Sequence, residues 1–256
     1  MRIPFKLRRR LPRRTFLSAA ALLLAGCDNL SRTEWFPKVL DSVEPLNHSL
    51  AKAIGRNALA QEFAESDRSP EFRSNGSDFA DTPQYNAWVQ NNFADYALEV
   101  GGLCEAPRKF TLADLRALPA RTQITRHDCV EGWSAIAKWK GARLAALLDA
   151  VKPKPEARFV VFHCADPMSA DPADLYYESI DFDDARHEQT ILAYDMNDAP
   201  LPVKNGAPLR LRVERQLGYK HAKFITRIEI VDSFAHIAGG RGGYWEDQGY
   251  QWYAGI

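Results

Sequence analysis

Apolar and polar positions along this chain change period several times, and each change predicts an element. Leu50, Ile54, Leu59 and Phe63 recur at helical spacing, which predicts a helix within 39–63 that Pro45 starts or kinks. Alternation over 96–100 predicts a strand, closed by a turn at Gly101-Gly102. Thr111 is placed to cap a short helix over 112–118, which Pro119 ends, and residues 123–126 lead into a polar run. A one-sided apolar pattern over 144–151 predicts a helix stopped by Pro153. Residues 158–164 are composed like a buried strand and run into a polar loop over 166–174. Ser179 resembles the cap of a helix over 182–186, and 191–194 reads as a short strand or core turn ahead of an Asn197-Asp198 turn. Strands follow over 209–213 and 224–231; the second carries Phe224, Thr226, Ile228 and Ile230 on one face. Mixed helices and strands with no repeat make the expected class α+β.

Composition changes this picture at one end. The chain has 256 residues, 46% hydrophobic and 26% charged, enough for one large domain or two small ones. Basic and acidic residues number 33 each, yet Arg2, Lys6, Arg8, Arg9, Arg10, Arg13 and Arg14 all precede residue 27, with no acidic residue among them. Without those seven, 26 basic residues face 33 acidic ones, a net charge of −7, which argues against nucleic acid as a partner. Residues 1–26 read as a targeting segment: a basic run, then an apolar stretch over 18–26 too short to span a bilayer. Arg13-Arg14-Thr15-Phe16-Leu17 resembles a twin-arginine export signal, and Leu24-Ala25-Gly26-Cys27 resembles a lipobox. The expected product is a periplasmic protein, anchored by acyl chains on Cys27 and touching the membrane through that anchor alone. The expected organisation is a signal over 1–26, a spacer and helical arm over 27–69, and a catalytic domain over 70–256.

One polar stretch carries candidate chemistry: Arg126-His127-Asp128-Cys129-Val130-Glu131-Gly132-Trp133-Ser134. A structural cysteine usually sits among aliphatic residues; this one has Arg126 and His127 nearby to favour its thiolate, and Asp128 to oppose it. Either a functional thiol or an ordinary free cysteine fits that spacing. A zinc site does not. There is no C-x2-C pair, and adjacent His163 and Cys164 point to opposite faces of a strand. Cys104 reads as an unpaired thiol or a disulfide partner. The tail over 239–253 is rich in glycine and aromatic residues, suited to packing or to stacking against a ligand.

The Cys129 run resembles the cysteine segment of the molybdopterin-dependent sulfite-oxidase family, in its stand-alone, haem-free bacterial branch. Further motifs follow in the family's order: Phe72-Arg73 with Asn75, Asn205 with Arg210 five residues on, and Gly218-Tyr219-Lys220-His221-Ala222-Lys223. The tail resembles the same branch. The resemblance implies a single mixed sulfite-oxidase-type molybdopterin-binding domain. It implies that Cys129 ligates molybdenum, with Arg126, His127 and Trp133 close to the metal. It implies that Asn75, Cys164, Asn205, Arg210, His221, Ala222 and Lys223 contact the pterin or its phosphate. Cys164, 35 positions beyond the metal cysteine, departs from a compared member of the family, which has threonine there; the other reading of Cys164 is a core cysteine at a strand end. A phosphate suits the forked donors of Arg210 and the ammonium of Lys223; the other reading of these two is a solvated basic face. The implied activity is two-electron oxo transfer on sulfite or a sulfoxide-type small molecule. No haem is expected, since the chain has no C-x-x-C-H motif. Electrons would then pass to or from a separate partner, a quinone-linked membrane protein or a cytochrome. The rival reading is a non-enzymatic lipoprotein that binds ligands through its aromatic tail.

Overall fold

The computed structural model describes residues 32–55 and 58–256. The signal segment over 1–26 and the lipobox cysteine lie outside the described residues. The first described element is a helix, α1 (Trp35–Gly55), which carries Pro45 inside it. The compact unit that follows runs from Ala53 to Ile256. The helical spacing read over 39–63 does not continue to Phe63. Beyond residue 57 the chain is extended; the Phe63 N–H donates to the Ile124 carbonyl at 2.9 Å, and Glu62 bridges to Thr125.

The unit holds two five-stranded sheets. One is ordered β2-β1-β10-β5-β6, built from β1 (Ala97–Gly102), β2 (Arg108–Thr111), β5 (Phe159–Pro167), β6 (Leu175–Asp181) and β10 (Ile225–Val231). Its β1–β10 pair is parallel and the others are antiparallel. The other is ordered β3-β4-β7-β8, with β9 also paired to β7. It uses β3 (Ala120–Cys129), β4 (Trp133–Arg143), β7 (Ile191–Met196), β8 (Ala199–Pro200) and β9 (Arg210–Arg212). Helices α2 (Pro83–Gln90), α3 (Leu112–Ala117), α4 (Leu144–Val151), α5 (Phe182–Ala185) and α6 (Tyr244–Asp247) complete it. Leu144, Leu147, Leu148 and Val151 turn the apolar side of α4 into the main core, with Leu98, Phe110, Phe162 and Ile228 from the first sheet.

Several local expectations change for physical reasons. Gly101-Gly102 ends β1 instead of turning the chain, because both glycines stay paired to β10. Asp181, not Ser179, caps α5: its carboxylate accepts from the Asp184 N–H at 2.9 Å. Ser179 is buried within β6, where its hydroxyl donates to the Gly242 carbonyl of the tail. The 209–213 strand shortens to Arg210–Arg212, and both arginines are fully buried.

The hairpin β3–β4 positions the candidate chemistry. Gly132, at φ +83°, supplies the left-handed residue of its turn and sets Cys129 opposite Trp133. The buried side of β3 is polar, with Gln123, Thr125 and His127 facing inward.

Candidate active site

Cys129 ends β3 at a cavity of about 180 Å³. Val130 and Glu131 flank it. The far walls come from Asn75 and Ser77, from Asp166 at the end of β5 and Met168 just past it, and from His221 and Lys223. Tyr176, Tyr219, Trp245 and Tyr250 close the cavity as an aromatic wall. The rings of Trp245 and Tyr250 lie 5.4 Å apart, and those of Tyr219 and Tyr250 5.3 Å apart.

The thiol of Cys129 is pushed above its ordinary pKa by burial, against backbone N–H groups and Arg73 that pull it down. The two neighbours expected to favour the thiolate do not. Arg126 and Cys129 sit on opposite faces of β3, since side chains alternate with period two. Arg126 therefore points outward, paired with Asp128 at 2.9 Å and away from the cavity. His127 shares the Cys129 face but is buried behind the wall and stays neutral, its pKa driven down by burial and then by His221 and Arg212. Its Nδ1 faces Arg212 Nη1 at 2.9 Å. A guanidinium only donates, so Nδ1 accepts and the proton sits on Nε2. Arg212 is held in turn by Glu214 at 2.9 Å, and Glu214 accepts from Gln123 at 2.8 Å. Trp133 packs beside His127, ring to ring at 5.5 Å, and its indole N–H donates to Glu131 at 2.9 Å.

A second cluster gathers Asn75, Asn205, Arg210 and Lys223. Arg210 donates to the Asn205 carbonyl at 2.9 Å and to Asn75 Oδ1 at 3.3 Å, with its guanidinium 5.0 Å from the Trp139 ring. Lys223 donates to Ser74 Oγ at 3.2 Å, to the Lys204 carbonyl at 3.3 Å and to the Ser77 carbonyl. All these acceptors are uncharged. Burial, then Arg210, lowers the Lys223 pKa to about 7. Gly206, at φ +109°, lets the two side chains converge: a Cβ there would stand 2.9 Å from Lys223 and 3.2 Å from Arg210. These residues form no solvated basic face.

Residues 85–236 match the family model described as the oxidoreductase molybdopterin binding domain. The chain belongs to this family of molybdopterin-binding oxidoreductases. It is 43% identical over 162 residues to the "Putative protein-methionine-sulfoxide reductase subunit YedZ1" of Azospira oryzae, across 63% of this chain and 56% of that protein. It is 32% identical over 232 residues to the protein-methionine-sulfoxide reductase catalytic subunit MsrP of Ralstonia nicotianae, across 86% of this chain and 69% of that protein. The chain thus spans between half and about two thirds of the length of these relatives. Among solved structures, the sulfane dehydrogenase SoxCD of Paracoccus pantotrophus overlaps 54% of this chain and 39% of its own at a TM-score of 0.49 and 25% identity.

The residues of this molybdopterin oxidoreductase suit its cofactor. Arg210 and Lys223 are buried cations with no carboxylate in contact, and a buried charge is costly until an anion joins it. Buried polar atoms lack partners on two lining residues, Asp166 Oδ1 and His221 Nδ1, and on Arg210 Nε and Asn205 Nδ2 in the cluster behind Asn75 and Lys223. His221 Nε2 lies 3.0 Å from the Gln216 carbonyl, so it carries the proton and leaves Nδ1 as an acceptor. Among the described residues, no three His, Cys, Asp or Glu side chains gather to hold a metal. A thiophilic metal would take a soft donor, and among the described residues Cys129 is the thiol in the cavity wall.

Cys164 and Ala222 lie in the main core, not in the cavity wall. Burial drives the Cys164 thiol far up. Lys220 also turns away from the cavity. Its ammonium is buried between Glu178 of β6 and Glu246 of α6, 2.6 Å from the latter. That clamp fixes the tail, so Trp245 and Tyr250 join the wall while Trp252 packs against Phe159 and Phe234. Glu131, Asp166, Tyr176 and Met168 also line the cavity, and no sequence pattern assigns them a role. Glu131 alone left a signal, a carboxylate two residues past the key cysteine.

Lys223 yields a pH-dependent expectation. Its folded pKa, about 7, lies below the unfolded value of about 10.4, so the unfolded chain holds the extra proton between them. Cofactor-free protein is therefore expected to gain stability as pH rises from about 7 towards 10, through this group. Urea titrations at pH 7 and 9 measure that gain; Lys223→Met should remove it, and an undiminished gain in the variant would contradict the assignment.

Proposed function

We propose that this protein is an exported, haem-free molybdopterin oxidoreductase that reduces neutral organic sulfoxides, with Cys129 as its protein ligand to molybdenum. The supporting observation is the cavity wall. It presents Tyr176, Tyr219, Trp245, Tyr250 and Met168 near Cys129; the arginine felt at the thiol, Arg73, lies outside that lining, over the Trp133 ring. A sulfite dianion needs several forked cationic donors around it. Arg126, Arg212, Arg215 and Arg241, the arginines available for that role by sequence, are all absent from the lining. Aromatic faces and a thioether instead suit a polarisable, uncharged sulfur group.

When bound, the molybdenum–pterin group supplies two-electron oxo transfer. Overall, a sulfoxide takes up two electrons and two protons and yields a thioether and water. The chain's own share is binding, orientation and protons. Arg210 and Lys223 hold the cofactor's phosphate, and Asn75 and His221 Nδ1 orient its polar edges. The aromatic wall excludes water. Two carboxyl groups line the cavity: Glu131, oriented by the Trp133 indole, and Asp166, whose pKa burial raises to about 6. Asp166 therefore carries a proton for part of the time near neutral pH and serves as a proton source.

Electrons come from a separate partner, a quinone-linked membrane protein or a cytochrome, because the chain lacks a C-x-x-C-H motif. The relatives named above as subunits of a reductase agree with such an arrangement. Export rests on Arg13-Arg14, and anchoring on Cys27 in its lipobox.

A dye-coupled assay of the purified single chain tests the function. Each missing charge-assisted contact corresponds to roughly ten- to a hundredfold in discrimination. Reduced viologen with a methionine-type sulfoxide should therefore give a kcat/KM at least about a hundredfold above that for sulfite with a dye oxidant. Preferential sulfite turnover, or a haem Soret band in the pure chain, would overturn the reading.

A further inference from the structure

Helix α1 carries an apolar stripe that nothing in the catalytic account uses. Trp35, Val39, Val43, Leu46 and Leu50 follow one another at intervals of four, four, three and four, so they share one face. They are 56%, 47%, 40%, 65% and 55% exposed, and Leu40 beside them is 54% exposed. Single exposed apolar residues are ordinary; a continuous stripe along 21 residues, roughly 31 Å, marks a contact surface. Lys38 and Lys52 lie on the polar side of the helix, a side whose sequence also includes Asp41 and Glu44.

The sequence indicates what covers that face. Cys27, the candidate acylation site, precedes Trp35 by eight residues, a reach of at most about 28 Å. An anchor there keeps α1 at the bilayer surface. Among the described residues, no helix is long and apolar enough to cross a membrane. A helix with one apolar face, a polar face opposite it and a tryptophan at its start has the character of one lying in the plane of the interface.

We propose that α1 is a membrane-surface helix whose Trp35–Val39–Val43–Leu46–Leu50 face sinks into the boundary between lipid headgroups and acyl chains. It adds a second, reversible membrane contact to the acyl anchor, and it rests on the reading that the protein is exported and anchored at Cys27.

The test uses the exported, cofactor-loaded Cys27→Ala protein, which has no acyl chain, and vesicles of phosphatidylethanolamine and phosphatidylglycerol. The variant is expected to float with the vesicles. Adding Leu46→Asp and Leu50→Asp should lower its partition coefficient roughly a hundredfold, with dye-coupled activity unchanged. Three results would overturn the proposal: no vesicle binding by Cys27→Ala, equal binding by the aspartate variant, or a dimer broken by the aspartates without vesicle binding. The last would assign the face to a second copy of this chain. The mass of the wild-type amino-terminal peptide reads the anchor separately, so its failure is distinguishable from failure of the helix contact.

Discussion

Replacing Cys129 with serine is expected to lower turnover by more than about a thousandfold, beyond the 10–100-fold typical of losing an outer partner of a metal ligand. Cys129 is the described cysteine in the cavity wall; Cys104 and Cys164 are buried in the main core with thiols raised by burial. A metal would have to deprotonate Cys129 itself, because burial holds its thiol up and neither Arg126 nor His127 brings it down. A serine hydroxyl is a harder donor and stays protonated near neutral pH. The cofactor should nevertheless remain, since Arg210 and Lys223 are untouched. Cys104→Ala is the control and should keep its activity. Molybdenum content and dye-coupled turnover of the two variants decide the matter. Near-normal turnover in Cys129→Ser would remove the residue from the metal.

The second large effect is expected at the phosphate cradle. Arg210→Ala removes a buried guanidinium held by Asn205 and Asn75, and Lys223→Ala removes a buried ammonium fixed by neutral oxygens. Each charge-assisted contact contributes about 1.5–3 kcal/mol, so each variant should bind cofactor roughly ten- to a hundredfold more weakly. The two side chains converge over Gly206, and their effects should not simply add. Far-ultraviolet circular dichroism should report an intact fold in both. Molybdenum per chain, by mass spectrometry, should fall in each variant and fall furthest in the pair. Full occupancy in the pair would put the phosphate elsewhere.

What could be read from sequence depended on which physical rule each segment obeys. Helix α4 and the cap at Thr111 were legible because apolar spacing and a capping side chain act locally. The strand over 225–231 was legible because its alternation follows the burial of Ile228 and Ile230. The β3–β4 hairpin was not, although it carries Cys129. Its buried face is Gln123, Thr125 and His127, which an apolar pattern cannot reveal, and their burial depends on Arg212 and Glu214 from another segment. Arg210 and Arg212 mislead in the same way, being charged residues in a fully buried strand. Motif order led to Asn75, His221 and Lys223 in the cavity wall, but it also promoted Arg126, His127, Cys164, Asn205, Arg210 and Ala222, which lie outside it. The aromatic wall is a tertiary product. Trp245 and Tyr250 reach it because Lys220 clamps Glu246 to Glu178, three residues far apart in the chain.

One bond is central to the proposed chemistry, between Cys129 sulfur and molybdenum. X-ray absorption at the molybdenum edge measures it directly in the purified holoenzyme and in Cys129→Ser. The account predicts three sulfur neighbours in the wild type, two from the pterin dithiolene and one from Cys129, and two in the variant. Three sulfurs in both proteins would contradict it and pass the role to another thiol.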